Sequence, residues 1–276
     1  MKKIAVINDL SGFGKCSLTA AIPVISVMGV QPCPLPTAVL SAQTGFVDYY
    51  CDDYTEKMEY FRQEWKKMNV HFDGIYTGFM ANETQVQQVF RFLDTFYKED
   101  TFLVVDPIMG DEGVRFSFCT DMMLRGMKEL VSCADVVTPN LMELCLLTNA
   151  EYKDRIEISE IEELAAVLLE QGIKTVVVTG IRFFDEEEDR LKIGNLTVTR
   201  EQTGLSAYPY IGGSFSGTGD LFASVVTGGL ARGDDIFRTV ERAGAFIKAA
   251  MSDAVKEKVP RNEGANFEKY LGMLLK

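Results

Sequence analysis

The chain has 276 residues, of which 47% are hydrophobic, and this size and content predict one domain over residues 1–276. Its 40 acidic and 28 basic side chains give a formal net charge of -12, which argues against nucleic acid or an anionic membrane as a partner. No stretch is long and apolar enough for a membrane span or a signal peptide, so we expect a cytoplasmic protein.

Apolar strand-like runs alternate with helical patterns along most of the chain. Continuous apolar strands separated by helices predict an α/β fold, with a mostly parallel sheet covered by helices on both faces. The predicted strands are Ile4–Ile7, Ala38–Leu40 with the residues before it, Gly74–Tyr76, Phe102–Val105, Val136–Val137 and Thr175–Val178. The predicted helices are Ser17–Met28, Tyr54–Met68, Glu83–Lys98, Cys119–Val131, Leu141–Leu147 and Ile161–Gln171.

The pattern changes after Thr179. The segment FFDEEEDRLKIGNLTVT predicts an antiparallel hairpin around an acidic turn, Asp185 to Asp189, at one edge of the sheet. A glycine-rich passage and two more helices, Leu221–Ala231 and Phe237–Met251, complete the predicted domain.

Cysteine and histidine offer little catalytic chemistry. The six cysteines include no C-x-x-C pair, so we expect reduced, mostly buried thiols rather than disulfides or a metal site. The single histidine, His71, lies between a polar helix end and a strand, where we expect a connection. A Ser/His/Asp triad or a Cys/His pair would have to use it, which argues against both.

The segment NDLSGFGKCS, Asn8 to Ser17, follows the first apolar run and looks like a phosphate-binding loop. A P-loop requires a glycine, four further residues and then Gly-Lys-Ser/Thr. With Gly14-Lys15 as the pair, the first glycine would fall on Asp9, and Cys16 stands where the hydroxyl residue belongs. The spacing therefore argues against a P-loop, and we expect Lys15 to be an exposed loop residue.

Polar side chains follow the ends of five predicted strands. In open α/β sheets, ligands bind beyond the carboxyl ends of the strands, so these residues predict one shared site. They are Asp9, Gln43, Thr44, Asp106, Asn140, Glu143 and Thr179.

The segment GGSFSGTGDLFAS, Gly212 to Ser224, carries the strongest chemical signal. Glycines at Gly217 and Gly219 let the backbone approach a ligand, and the N–H groups of a helix start form an anion hole. Asp220 beside that hole fits a base that takes a hydroxyl proton during phosphoryl transfer. The alternative is a helix capped by Thr218 or Asp220 after a flexible turn.

Asn140 and Glu143 lie three residues apart at a predicted helix start. A carboxylate and an amide on one helix face can hold Mg²⁺ through water near nucleotide phosphates. The same pair also fits a capping box, in which each side chain satisfies a backbone N–H of the first turn. The spacing alone leaves both interpretations open.

Together these motifs resemble the ribokinase-like superfamily. Gly217-Thr218-Gly219-Asp220 looks like its anion hole and base, and Asn140-x-x-Glu143 looks like its magnesium and phosphate motif. The segment DPIMGD, Asp106 to Asp111, resembles that of the vitamin-kinase branch. NDLSGFGKCSLTAA, PLPTAVLSAQTGF and YTGFM make the chain most similar to pyridoxal/pyridoxamine kinases. The resemblance implies a three-layer ribokinase-like sandwich and spans nearly the whole chain.

The resemblance also implies a role for each matching residue. Asp220, with Gly217, Thr218 and Gly219, would form the catalytic centre. The implied substrate-binding residues are Asp9, Ser11, Gln43, Thr44, Phe79 and Asp220. The implied ATP-binding residues are Asp106, Thr138, Asn140, Glu143, Thr179, Gly217 and Gly219. Metal binding would fall to Glu143 and Asn140, mostly through water, and to Asp106.

The expected reaction is transfer of a phosphoryl group from ATP·Mg²⁺ to the 5′-hydroxymethyl group of a vitamin B6 vitamer. Several positions depart from the family, because Asp9 replaces a frequent serine, Gln43 a histidine, Phe79 a tyrosine and Thr179 a lysine. The first two leave the preferred vitamer open. A hydroxymethylpyrimidine kinase is the nearest alternative, and a non-catalytic vitamer-binding protein is a second. The resemblance suggests a homodimer and leaves a monovalent cation such as K⁺ open.

Overall fold

A computed structural model describes residues 1–153 and 155–275. Within them lie eleven strands, of which β6 and β7 form a separate hairpin and the other nine form one sheet. The strands are β1 (Lys3–Ser11), β2 (Gln31–Leu40), β3 (Cys51–Asp53), β4 (Gly74–Thr77), β5 (Phe102–Val105), β6 (Gly110–Asp111), β7 (Val114–Arg115), β8 (Val136–Val137), β9 (Thr175–Asp185), β10 (Arg190–Thr199) and β11 (Thr203–Pro209).

Eight α-helices of the described residues pack on the two faces of this sheet. They are α1 (Ser17–Val27), α2 (Thr55–Lys67), α3 (Glu83–Phe96), α4 (Asp121–Ser132), α5 (Leu141–Thr148), α6 (Ile158–Glu170), α7 (Thr218–Arg232) and α8 (Ile236–Glu257). Helices α2 to α6 share one buried apolar cluster with the sheet, and α1, α7 and α8 share the other. The predicted three-layer α/β sandwich is therefore confirmed.

Side chains of the central strands alternate between the two apolar clusters. In β1, Ala5 and Ile7 face the cluster of α2 to α6, whereas Ile4 and Val6 face α1, α7 and α8. This period of two explains why the strands are apolar at every position, because both faces of the sheet are covered.

The sheet has the order β11-β10-β9-β8-β5-β4-β1-β2-β3. Neighbouring strands from β9 to β2 in this order are parallel. The hairpin between β9 and β10 is antiparallel and turns between Asp185 and Arg190, as the acidic segment predicts. Two antiparallel strands of this sheet were not predicted, β11 beyond the hairpin and the short β3 at the opposite edge, and the separate β6–β7 hairpin was not predicted either.

Two predicted strand ends were wrong, and both errors concern site residues. β1 continues to Ser11, so Asp9 lies within the strand, where the pairing with β2 shifts register between Asn8 and Leu10. β9 continues to Asp185, so Thr179 lies inside it. In both cases the strand stays paired with a long neighbouring strand, β2 or β10, beyond the end of its apolar run. An irregularity in a strand re-aims a side chain and is common beside active sites.

Two smaller expectations also need correction. All six cysteines are free, but only Cys16, Cys119 and Cys145 are buried. Lys15 is not a free loop residue, because its Nζ donates hydrogen bonds to Asn266 Oδ1 at 3.1 Å and to Glu268 Oε2 at 3.0 Å. None of the helices in residues 1–153 and 155–275 is long and apolar enough to cross a bilayer.

Candidate active site

A cavity of about 880 Å³ opens beyond the carboxyl ends of the parallel strands. All fourteen residues that the sequence assigned to a site line it. They are Asp9, Ser11, Gln43, Thr44, Phe79, Asp106, Thr138, Asn140, Glu143, Thr179, Gly217, Thr218, Gly219 and Asp220.

Helix α7 begins at this cavity without a side-chain cap. Gly217 is its N-cap residue, with φ +82°, and neither Thr218 nor Asp220 caps the helix, so the capping alternative for this segment was wrong. A helix start leaves its first N–H groups without intrahelical acceptors and carries the positive end of the helix dipole. The start of α7 therefore offers an anion site.

The close approach of two helix starts explains the glycine at position 217. A Cβ atom there would lie 2.0 Å from the Lys15 carbonyl oxygen and 2.9 Å from Cys16 Cα. Cys16 is the N-cap of α1 and also lacks a side-chain cap hydrogen bond. The starts of α1 and α7 thus meet at the cavity, and only glycine allows the contact.

Asp220 lies in the first turn of α7 and is 8% exposed. Burial raises the pKa of its carboxyl to about 6, and the nearby Asp9 carboxylate adds to the rise. The Ser17 backbone amide and Asn8 partly oppose that shift. A base works best when its pKa lies close to the working pH, so Asp220 is suited to accept a hydroxyl proton near neutrality.

Asn8 holds Asp220 in place, a role that sequence analysis missed. Its Nδ2 donates to Asp220 Oδ1 at 3.0 Å, and its Oδ1 accepts hydrogen bonds from the Asp9 and Phe79 amides at 3.0 and 2.8 Å. The side chain is fully buried, and a Cβ on Gly78 would lie 2.4 Å from its Nδ2. Asn8 thereby joins the ends of β1 and β4 to the base.

Asp106 and Glu143 form a second buried acidic group. Thr138 Oγ1 donates to Asp106 Oδ1 at 2.9 Å, and burial together with the charge of Asp220 raises the pKa of Asp106 to about 7. Burial and the charge of Asp106 raise the pKa of Glu143 well above its ordinary value. No buried cation of the described chain offsets these charges, so the pair suits a cationic ligand.

Asn140 and Glu143 do form the capping box that the sequence left open. Asn140 Oδ1 accepts from the Glu143 amide, and Glu143 Oε2 accepts from the Asn140 amide, both at 2.9 Å. Glu143 Oε1 also accepts from the Met109 amide at 3.1 Å. These bonds fix both side chains at the cavity wall, and a metal role for them stays a prediction.

A small flap borders the same part of the cavity. The β6–β7 hairpin turns through Glu112 and Gly113, both with positive φ, the combination that tight hairpins require. Asn140 Nδ2 donates to the Gly110 carbonyl at 2.8 Å, and Arg182 of β9 forms an ion pair with Glu112. The flap is therefore tied to α5 and to β9, and neither contact was predicted from a motif.

The predicted substrate residues lie at the other part of the cavity. Gln43 is buried, and its Nε2 donates to Ser216 Oγ at 3.2 Å and to the Asn262 carbonyl at 3.1 Å, while its Oε1 accepts from the Gly45 amide. Its polar atoms thus join the loop after β2 to the glycine-rich loop before α7. A direct contact of Gln43 with substrate stays a prediction.

Aromatic rings line the wall beside Phe79. Its ring centroid lies 5.1 Å from that of Phe118, edge to face, and Phe118 stacks with Phe116 at 5.6 Å. All three rings line the cavity. They offer an apolar surface for a flat heteroaromatic ring, and the two phenylalanines after β7 were missed because they lie outside every recognised motif.

The far end of the cavity is also lined by residues that sequence analysis missed. Tyr210, Phe222, Ile247, Lys248 and Met251 come from the loop after β11 and from α7 and α8. Their apolar surface and single ammonium group suit a nucleotide base and its phosphates. These residues come from three separate segments between positions 210 and 251, so no short motif contains them.

Cysteine chemistry is disfavoured at this site. Cys16 lines the cavity, but burial and the charges of Asp220 and Asp9 raise the pKa of its thiol to about 12. The thiolate is the nucleophilic form, so Cys16 is inert near neutral pH.

Comparison with known proteins agrees with this geometry. The family model of phosphomethylpyrimidine kinase matches residues 14–264. A Bacteroides thetaiotaomicron protein, named provisionally as a phosphomethylpyrimidine kinase and crystallised with pyridoxal, is 37% identical, with a TM-score of 0.93 over 99% of this chain and 95% of its own. The pyridoxal kinase of Lactobacillus plantarum is 26% identical, with a TM-score of 0.89 over 100% of this chain and 97% of its own.

A curated sequence points the same way. The pyridoxine/pyridoxal/pyridoxamine kinase of Bordetella avium is 25% identical over 87% of this chain and 81% of its own length. Because the family model covers most of the chain and all fourteen predicted site residues line the cavity, the protein belongs to the phosphomethylpyrimidine kinase family, within the ribokinase-like superfamily.

Proposed function

We propose that this protein is an ATP-dependent kinase that phosphorylates the 5′-hydroxymethyl group of a vitamin B6 vitamer: pyridoxal, pyridoxamine or pyridoxine. The observation that carries the proposal is Asp220, a buried carboxylate with a pKa of about 6 in the first turn of the uncapped helix α7. The relatives of this protein include pyridoxal kinases and a protein crystallised with pyridoxal.

The mechanism is a direct in-line transfer. Asp220 accepts the proton of the substrate hydroxyl, whose oxygen attacks the γ-phosphorus of ATP. The bond from that phosphorus to the β–γ bridging oxygen breaks, and ADP leaves with the bridging oxygen. The N–H groups of Gly217, Thr218 and Gly219 stabilise the negative charge on the transferring phosphoryl group. Asn8 keeps the base oriented throughout, and the aromatic wall around Phe79 holds the ring of the substrate.

ATP would lie with its base at the end of the cavity around Tyr210 and its γ-phosphate at α7. Thr138 and Thr179 are the remaining nucleotide-side residues of this proposal. Lys248 and Arg182, the latter paired with Glu112, also line the cavity and would supply positive charge for the phosphates.

The acidic group around Asp106 fits a magnesium ion. Asp106 and Glu143 are buried carboxylates without a cationic partner, and oxygen is the ligand that Mg²⁺ prefers. Among residues 1–153 and 155–275, no three His, Cys, Asp or Glu side chains lie close enough to chelate a metal alone. Mg²⁺ would therefore be held by Asp106 and, through water, by Glu143 and Asn140, and would neutralise phosphate charge.

A hydroxymethylpyrimidine kinase is the second candidate. The family name and that of the Bacteroides relative both favour it, and it would use the same base and anion site. A non-catalytic vitamer-binding protein is less well supported, because nothing in vitamer binding alone requires the Asn8–Asp220 arrangement.

We also infer the wider setting of the enzyme. The cavity opens at the edge of one continuous nine-stranded sheet, which supports a single kinase domain over residues 1–276. Six free cysteines support a cytoplasmic location. The homodimer and a monovalent cation such as K⁺ rest on the family resemblance alone.

The test is ADP release from ATP·Mg²⁺ with each B6 vitamer, measured for wild type, Asp220→Asn and Asp235→Asn. Loss of the base should lower kcat by about 10²- to 10⁴-fold. Asp235 caps α8 through the Arg238 amide, and asparagine caps equally well, so this matched control should keep full activity. Full turnover by Asp220→Asn would refute the proposal.

A further inference from the structure

The carboxylate of Asp9 has no positively charged partner within the described chain. It is 5% exposed and lines the cavity together with Thr44 and Phe79. Ser11 Oγ donates to its Oδ2 at 2.8 Å, and Ser17 Oγ donates to its Oδ1. Both partners are neutral, and among residues 1–153 and 155–275 no lysine, arginine or histidine forms an ion pair with Asp9.

The surroundings of Asp9 add negative rather than positive charge. Burial raises the pKa of Asp9, and the two serine hydroxyls oppose that rise only in part. Asp9 in turn raises the pKa values of Asp220 and Cys16. A buried carboxylate in such a place is costly unless a ligand brings the opposite charge.

Asp9 also lies beside the base. The Ser17 hydroxyl binds Asp9, while the Ser17 backbone amide lowers the pKa of Asp220, so one residue contacts both carboxylates. Asn8, which precedes Asp9, donates to Asp220 from the other side. A substrate whose hydroxymethyl group lies at Asp220 therefore has its ring close to Asp9.

We propose that Asp9 binds a protonated amine on the substrate, so that this enzyme prefers pyridoxamine to pyridoxine. The inference rests on the proposed function, because it places the 5′-hydroxymethyl group at Asp220. The two vitamers differ at one adjacent substituent, which is an aminomethyl group in pyridoxamine and a hydroxymethyl group in pyridoxine. A charge-assisted hydrogen bond in a buried site should favour the amine by about 10- to 100-fold in Kd.

The experiment measures calorimetric Kd values of pyridoxamine and pyridoxine for wild type, Asp9→Asn and the matched control Asp235→Asn. Asp9→Asn keeps the shape of the side chain but removes its charge, and it should reduce the preference to within about threefold. Asp235→Asn removes a carboxylate charge at the N-cap of α8, at a residue that does not line the cavity, so its preference should persist. Phosphate transfer to each vitamer is measured in parallel.

Each outcome bears on a separate claim. Equal wild-type affinities, or a preference that survives in Asp9→Asn, would overturn the role of Asp9. If Asp9→Asn does not fold, Asp9→Ser replaces it, and the wild-type ratio alone still decides against the inference when it is near one. A preference for pyridoxamine without phosphate transfer to any vitamer would refute the proposed kinase function and leave amine recognition supported.

Discussion

Replacing Gly217 by alanine tests whether the contact between two helix starts builds the anion site. Gly217 and Gly233 lie at opposite ends of α7 with nearly the same backbone, φ +82° and φ +79°. Alanine at either position meets a left-handed conformation that costs about 1–2 kcal/mol. The two sites differ in space, because a Cβ at Gly233 meets no atom within 4 Å, whereas one at Gly217 lies 2.0 Å from the Lys15 carbonyl oxygen.

The size of the effect follows from that distance. Restoring an ordinary contact of at least 3.4 Å requires the start of α7 to move by over an ångström relative to Lys15. A misplacement of about 1 Å in a catalytic site costs on the order of 100-fold in rate. Gly217→Ala should therefore lower kcat about 100-fold, while Gly233→Ala should lower only the melting temperature, by a few degrees.

The assay is kcat for pyridoxal at saturating ATP·Mg²⁺, together with thermal unfolding of both variants. A selective loss of kcat in Gly217→Ala, with a loss of stability at least as large as that of Gly233→Ala, would support the account. If both variants kept kcat within about threefold of each other, the close approach would not shape the anion site and the argument would be wrong.

Three further predictions concern charge. Asn8→Asp places a second carboxylate against Asp220 and should raise the pKa of the base above about 6. The acidic limb of the kcat/KM profile should then move up by about one pH unit, and an unmoved limb would contradict the Asn8–Asp220 contact. Asp106→Asn should abolish activity yet raise the free energy of unfolding by about 1–3 kcal/mol at pH 8 without ligands, because a buried unpaired charge disappears. That gain in unfolding free energy should shrink below about pH 7, where Asp106 is already protonated. Chemical denaturation of wild type and Asp106→Asn at about pH 8 and below about pH 7 measures it, and no gain at about pH 8 would contradict the prediction. Iodoacetamide at pH 7.5 should label the two exposed cysteines and spare Cys16, as peptide mass spectrometry would show.

The layered fold was predictable because its signals are local. Strands buried on both faces are apolar throughout, and helices between them enforce parallel pairing, so the alternation in sequence defines the three layers. The acidic turn that starts at Asp185 likewise predicts the hairpin between β9 and β10. Edge strands such as β3 and β11 escaped prediction because their burial depends on distant partners rather than on their own pattern.

The candidate site was predictable where one backbone feature demands particular residues. Gly217 and Asp220 belong to a helix start whose geometry permits few alternatives, and Asn140 with Glu143 satisfies a capping box that the spacing suggested. Asn8 escaped notice because it serves the base through the fold, 212 positions away in sequence. The end of the cavity around Tyr210 was missed for the same reason, since side chains from separate segments meet there.

The most direct test of the central claim is a competition for phosphate. Pyridoxal, pyridoxamine, pyridoxine and hydroxymethylpyrimidine are mixed in equal amounts with limiting ATP·Mg²⁺ and wild-type enzyme, and mass spectrometry identifies each product and its phosphorylated group. The account predicts B6 vitamer 5′-phosphates as the main products, with pyridoxamine 5′-phosphate leading and none formed by Asp220→Asn. Hydroxymethylpyrimidine phosphate as the main product, or products that persist in Asp220→Asn, would contradict it.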